Sequence, residues 1–140
     1  MTVTFVGHRD TPQNVYPLLC ETLRTLIQTD AATAFYVGDR GEFDRMVLRV
    51  LAELKKVYPH IDYQIVLAYM PRRKDESISV HPSVFPAEVA VAPARFAIDR
   101  RNRWMIENSD VVVTYVRRSY GGAARFQEVA LRKGKRVIAL

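Results

Sequence analysis

The sequence predicts an α/β domain with a parallel five-strand core and helices on both faces. Five short apolar, β-branched runs alternate with four helical patterns, the arrangement of a sheet built from strand–helix–strand units. The run Val111-Val112-Val113-Thr114-Tyr115-Val116 carries almost no polar residue, as expected of a parallel strand covered on both sides. Glycine-containing turns at Gly7, Gly38 and Gly121 all follow strands, and open parallel sheets bind ligands at that edge.

Thr2–Val6 is the first expected strand, followed by Gly7-His8-Arg9-Asp10-Thr11-Pro12. Asp10 or Thr11 is expected to cap the next helix, with Pro12 in its first turn. Val15, Leu19, Leu23 and Leu26/Ile27 recur at helical spacing and give that helix one apolar face. Thr33–Val37 is the second strand. Gly38-Asp39-Arg40-Gly41-Glu42-Phe43-Asp44 leads from it into a helix whose face is Phe43, Met46/Val47, Val50/Leu51, Leu54 and Val57. Asp62–Ala68 is the third strand. The stretch 69–93 holds four prolines, the basic cluster Arg72-Arg73-Lys74 and no clear period, so it reads as one long irregular segment. A helix from near Ala94 ends in a turn at Asn108-Ser109-Asp110. The run from Val111 to Val116 follows, then a helix over Ala123–Lys133, a stop at Gly134 and a last strand over Arg136–Leu140.

A chain of 140 residues with 49% hydrophobic and 26% charged residues has globular composition and is long enough for one domain, 1–140, with its own core. No apolar run is long enough to span a bilayer, so no membrane partner is expected. The start lacks a basic, cleavable leader, and a cytosolic protein is expected. The one cysteine, Cys20, reads as a small buried hydrophobe. One Cys and three scattered His do not make a metal site, and no cofactor is expected. The net charge of +6 suits a polyanion, and a phosphate-bearing small ligand or a nucleic acid would each account for it.

The Gly121–Gly122 pair opens a helix, and a helix N-terminus presents unpaired N–H groups and partial positive charge to a phosphate. Glycine lets a ligand approach the backbone closely, and Arg101, Arg117, Arg118 and Arg125 flank the pair. Gly7-His8-Arg9 forms a comparable turn with two hydrogen-bond donors, although His8 suits a purely structural role equally well. Gly38, Asp39 and Gly41 form a third turn. Asp39, Glu42 and Asp44 there either favour the helix dipole or bond ribose hydroxyls.

Phe5-Val6-Gly7-His8-Arg9-Asp10, Gly38-Asp39-Arg40-Gly41-Glu42-Phe43-Asp44, Leu54-Lys55-Lys56-Val57-Tyr58-Pro59 and Arg101-Asn102-Arg103-Trp104-Met105 with Gly121-Gly122-Ala123 occur in that order. Together they resemble the YpsA-like branch of the SLOG superfamily, named for the DNA-processing protein DprA and the Lonely Guy enzymes. The resemblance covers nearly the whole chain. It implies a Rossmann-like fold and a nucleotide-derivative pocket involving Gly7, His8, Arg9, Gly38, Asp39, Gly41, Arg101, Asn102, Gly121, Gly122 and Ala123, and it admits a homodimer. Lonely Guy enzymes carry Arg-Lys-x-x-Met and Pro-Gly-Gly-x-Gly-Thr-x-x-Glu. Their catalytic Arg and Glu would fall on Arg101 and Glu128, which implies cleavage of the N-glycosidic bond of a nucleoside 5′-monophosphate. Here Asn102 replaces Lys, Ala124 replaces Gly, Arg125 replaces Thr, and no Pro precedes Gly121, so ligand binding is better supported than hydrolysis. Resemblance to DprA implies a third reading, single-stranded nucleic acid held by Arg72-Arg73-Lys74 and by aromatics such as Tyr69, Phe85, Trp104 and Tyr120.

Overall fold

The computed structural model describes residues 1–70 and 81–140. The basic cluster Arg72-Arg73-Lys74 lies outside them. Among the described residues six strands form one parallel sheet: β1 (Thr2–Gly7), β2 (Ala34–Val37), β3 (Asp62–Val66), β4 (Ser83–Val84), β5 (Val111–Tyr115) and β6 (Arg136–Ala139). Their spatial order is β4-β3-β2-β1-β5-β6. The expected five strands are all present. The sixth, β4, is a two-residue edge strand inside the stretch expected to be irregular, paired to Ile65 and Val66. Two residues are too few to carry an alternating pattern, which is why the sequence does not announce it.

Among the described residues the helices are α1 (Tyr16–Thr29), α2 (Glu42–Val57), the single turn α3 (Ala87–Ala90), α4 (Ala97–Glu107) and α5 (Gly122–Arg132). Neither Asp10 nor Thr11 caps α1. The chain enters through a 3₁₀ turn at Gln13–Val15, and Pro17, not Pro12, occupies the first α-helical turn. The Thr11 hydroxyl instead donates to the His8 carbonyl at 2.6 Å, closing the turn after β1. At the far end Gly134 takes φ +70, and Lys135 N–H donates to the Ala130 carbonyl, so α5 stops where its glycine predicts.

Alternation along the strands divides the core in two. Val3, Phe5, Phe35, Val37, Val111 and Val113 face α1 and α2, where Leu19, Leu23, Leu26, Phe43, Val47, Val50 and Leu51 close over them. Val6 and Val112 face the other way and pack with Ile106 of α4 and with Phe126, Val129 and Ala130 of α5. The register Phe5↔Val113 and Gly7↔Tyr115 sets the ends of β1 and β5 side by side.

Candidate functional site

The chain leaves β1 towards β2 on one side, whereas β5 leads to β6 on the other. The sheet's topological switch point therefore lies between β1 and β5, where parallel sheets leave a crevice. A cavity of about 560 Å³ opens there, a size that accommodates a small ligand. Phe5, Val6, Met105, Ile106 and Phe126 give it apolar surface. Arg9, Asp10, Arg40, Asp44, Asp99, Arg101, Arg118 and Arg125 charge its walls. Five arginines against three aspartates leave the lining net cationic.

The glycine turns around this edge do different work. A Cβ on Gly7 would fall 2.7 Å from Phe43 Cβ and into the ring itself. One on Gly38 would meet Asp44 Oδ2 at 2.7 Å and Arg101 Cζ at 3.3 Å. Both glycines let the protein pack closely against itself. The N-terminus of α2 is likewise closed from within, since Glu42 N–H donates to the Arg9 carbonyl at 2.9 Å and Arg40 N–H to Asp44 Oδ2 at 3.0 Å. At Gly121 and Gly122 an added Cβ would find nothing within 4 Å. Both residues are exposed, both line the cavity, and Gly121 takes φ +90 as α5 begins without a side-chain cap. Of these two helix starts, that of α5 is open to a ligand.

Arg101 is the largest fully buried side chain, 2% exposed. Its Nη1 donates to Asp39 Oδ1 at 2.8 Å and to the Val66 carbonyl at 3.0 Å, while Nε donates to Asn102 Oδ1 at 2.8 Å. The guanidinium thus ties α4 to the turn after β2 and to the end of β3, with part of its surface left at the cavity wall. Asp39 is engaged in holding Arg101 and does not line the cavity, so the expected ribose contact at Asp39 is replaced by a structural one.

Two bonds fasten the turn after β1 to the loop after β5. His8 is buried, and its Nε2 accepts from Arg117 N–H at 2.8 Å, which requires the neutral ring. Arg118 pairs in bidentate fashion with Asp10, at 2.6 and 3.1 Å. Arg125 pairs with Asp99 across α4 and α5. Burial, and then the charge of Arg118, lower the His8 pKa below its ordinary 6.5, with Asp10 acting in the opposite direction. The folded state therefore binds fewer protons at His8 than the unfolded chain, and stability must fall as pH drops through 6.5. Asp44 has the reverse sign: burial pushes its carboxyl up to about 6, against the pull of Arg101 and the Arg40 N–H. Its ionised form is the strained one, so its contribution grows on acidification through the same range. The histidine effect is read as a difference. His8→Gln should flatten the acid-side loss of melting temperature relative to wild type, and an unchanged pH profile would remove His8 from this role.

Of the residues the sequence singled out, Gly7, His8, Arg9, Arg101, Asn102, Gly121, Gly122 and Ala123 line one cavity. Gly38, Asp39 and Gly41 support its wall from behind. Glu128 does not join them. Its side chain is 56% exposed and pairs with Arg132 one turn on, at 3.3 Å. Residues of α5 that reach the cavity include Ala123 and Phe126, and Glu128 stands two positions past Phe126, about 200° round the helix. Sequence reasoning left out Asp99, and weighed Asp44 only as a helix-dipole or ribose contact and Tyr120 only as a stacking aromatic for nucleic acid. Asp44 was legible as an acid near a helix start, but nothing local revealed that it faces a cavity.

No family model and no curated protein matches the chain. Among solved structures, the DNA processing protein A (DprA) of Streptococcus pneumoniae superposes with a TM-score of 0.73 at 16% sequence identity. The fold is DprA-like. The match covers 99% of this chain and 49% of that DprA chain, so the chain spans about half its length. At this identity the likeness speaks for the fold alone. It agrees with the Rossmann-like arrangement that the SLOG resemblance implies. Among the described residues no helix is long and apolar enough to cross a membrane.

Proposed function

We propose that the cavity at the switch point binds a nucleotide or nucleotide derivative, with its phosphate on the start of α5. The observation that carries this reading is the open, uncapped N-terminus at Gly121–Gly122, facing an arginine-lined cavity while the neighbouring glycine turn is filled by the protein's own atoms. Arg118 and Arg125 stand beside the seat and can turn from Asp10 and Asp99 to a phosphate, for which a guanidinium is a bidentate partner. Assignment to the YpsA-like branch is part of the same proposal and rests on the ordered motifs alone. Binding is favoured over glycosidic cleavage because the carboxylate that the Lonely Guy resemblance calls for, Glu128, points away from the cavity.

A thermal-shift panel of nucleotides, NAD and ADP-ribose tests the reading. A ligand at about a hundred times its dissociation constant should stabilise the fold by about 2.7 kcal/mol. Gly122→Ala sharpens the result. The new methyl meets nothing in the folded chain and removes backbone freedom from the unfolded one, so stability should hold or rise by about 0.5 kcal/mol. The same methyl obstructs the phosphate seat, and affinity should fall about tenfold. Glu128→Ala should leave affinity unchanged. Absence of any shift across the panel would overturn the proposal.

A second reading has its own observation. Around the same edge, aromatic and cationic side chains alternate: Arg40 lies over Tyr69 at 5.6 Å, Arg95 over Phe96 at 4.8 Å, and Tyr120 is 71% exposed. Such a surface suits single-stranded nucleic acid, and the structural neighbour is a DNA-processing protein. Affinity for an oligonucleotide that falls steeply with salt would support this reading, and no complex at low salt would remove it.

A further inference from the structure

The cavity is chemically two-ended. At one end are Gly121 and Gly122, after β5. At the other is Asp44, in the first turn of α2, after β2. Only β1 separates β2 from β5 in the sheet, and α2 and α5 lie on opposite faces of it, so the two ends stand at least about two strand spacings, roughly 10 Å, apart. The Asp44 end is the poorer phosphate seat of the two. The α2 N-terminus is closed by the Arg9 carbonyl, Arg101 is committed to Asp39 and Val66, and Asp44 is itself an acceptor. The other carboxylates of the cavity, Asp10 and Asp99, pair with Arg118 and Arg125 beside Gly121–Gly122 and so belong to the phosphate end.

We propose that Asp44 is the specificity residue of this site, reading a nucleobase by accepting hydrogen bonds from its amino or imino N–H groups while the phosphate rests at Gly121–Gly122. This builds on the reading of the cavity as a nucleotide site. In an extended nucleoside monophosphate the ribose hydroxyls fall short of the span between the two ends, whereas the donor edge of the base reaches it. A carboxylate accepts from N–H donors and repels phosphate, so the two ends also fix the ligand's direction. The Arg40 N–H bond to Oδ2 holds the carboxylate in place, and the absence of a Cβ at Gly38 leaves room for it. The charged groups acting on it are Arg101 from α4 and Arg40 and Asp39 from the turn after β2, and Arg9 and His8 from the turn after β1 line the same cavity.

Titration calorimetry with AMP, GMP and ribose 5-phosphate tests this on wild type and Asp44→Asn, since Asn retains an acceptor for Arg40 N–H. Wild type should bind at least one of the two nucleotides about tenfold more tightly than ribose 5-phosphate. Asp44→Asn should erase that preference and leave ribose 5-phosphate unchanged. Wild type alone supplies a second arm. Asp44 titrates at about 6, so the preference should shrink several-fold between about pH 7.5 and about pH 5.5. The ionisation of the phosphate is common to both kinds of probe and cancels in the ratio. Ribose 5-phosphate binding as well as the nucleotides, or a preference that survives in Asp44→Asn, overturns the role of Asp44 and leaves the phosphate seat standing. Failure of all three probes on wild type overturns both the seat and the role.

Discussion

Arg101→Ala should lower the folding free energy by about 3 kcal/mol, the cost of breaking a buried ion pair at one end. The side chain is 2% exposed and makes three hydrogen bonds, to Asp39, the Val66 carbonyl and Asn102. Truncation strands the Val66 carbonyl in the interior and leaves a cavity where the largest buried side chain stood. Asp39 keeps a quarter of its side chain in solvent and can rehydrate, which holds the loss at the lower end of the range for such pairs. Arg101→Lys should recover part of the charge but not the forked geometry. Urea denaturation measures the loss. A change below about 1 kcal/mol would mean that the guanidinium ties nothing together.

Gly7→Ala should be comparably damaging, at about 3 kcal/mol, for a steric reason. Gly7 is the last residue of β1, and its added Cβ would enter the Phe43 ring, itself 1% exposed among Leu and Val side chains. A buried ring has no free direction in which to yield, so either β1 or the first turn of α2 must shift. The double variant Gly7→Ala/Phe43→Leu should recover part of the loss, which the single variant Phe43→Leu cannot explain. Equilibrium unfolding of the set reads the coupling. Near-neutral behaviour of Gly7→Ala would contradict the packing described.

The strands and long helices were legible because their signals are local. Val111-Val112-Val113 and the Leu19/Leu23/Leu26 face carry their period in the sequence itself. The open helix start at Gly121–Gly122 was legible for the same reason, since a strand, two glycines and a helix suffice to indicate it. The meaning of Gly7 and Gly38 was not. Gly7 is glycine because of Phe43, distant in sequence, and Gly38 because the Asp44 carboxylate, with the Arg101 guanidinium behind it, fills the space a Cβ would take. Counting turns from Gly121 does not say which side of α5 meets the cavity, and Glu128 stands outside it, paired with Arg132. The cavity lies on the Ala123 and Phe126 side, and packing against α4 and the sheet sets that rotation. The exposed start of α5 belongs to one stretch of chain, whereas the charged lining, Asp44 included, is assembled from the turns after β1, β2 and β5 and from α4.

Amide chemical-shift mapping tests the central claim most directly. Titration of the nitrogen-15-labelled protein with AMP or GMP should move the Gly121, Gly122 and Ala123 amides in a saturable way, with Gly7 to Arg9 following as neighbours across the switch point. Saturable shifts that spare Gly121 and Gly122 and gather elsewhere on the surface would contradict a phosphate seat at the start of α5.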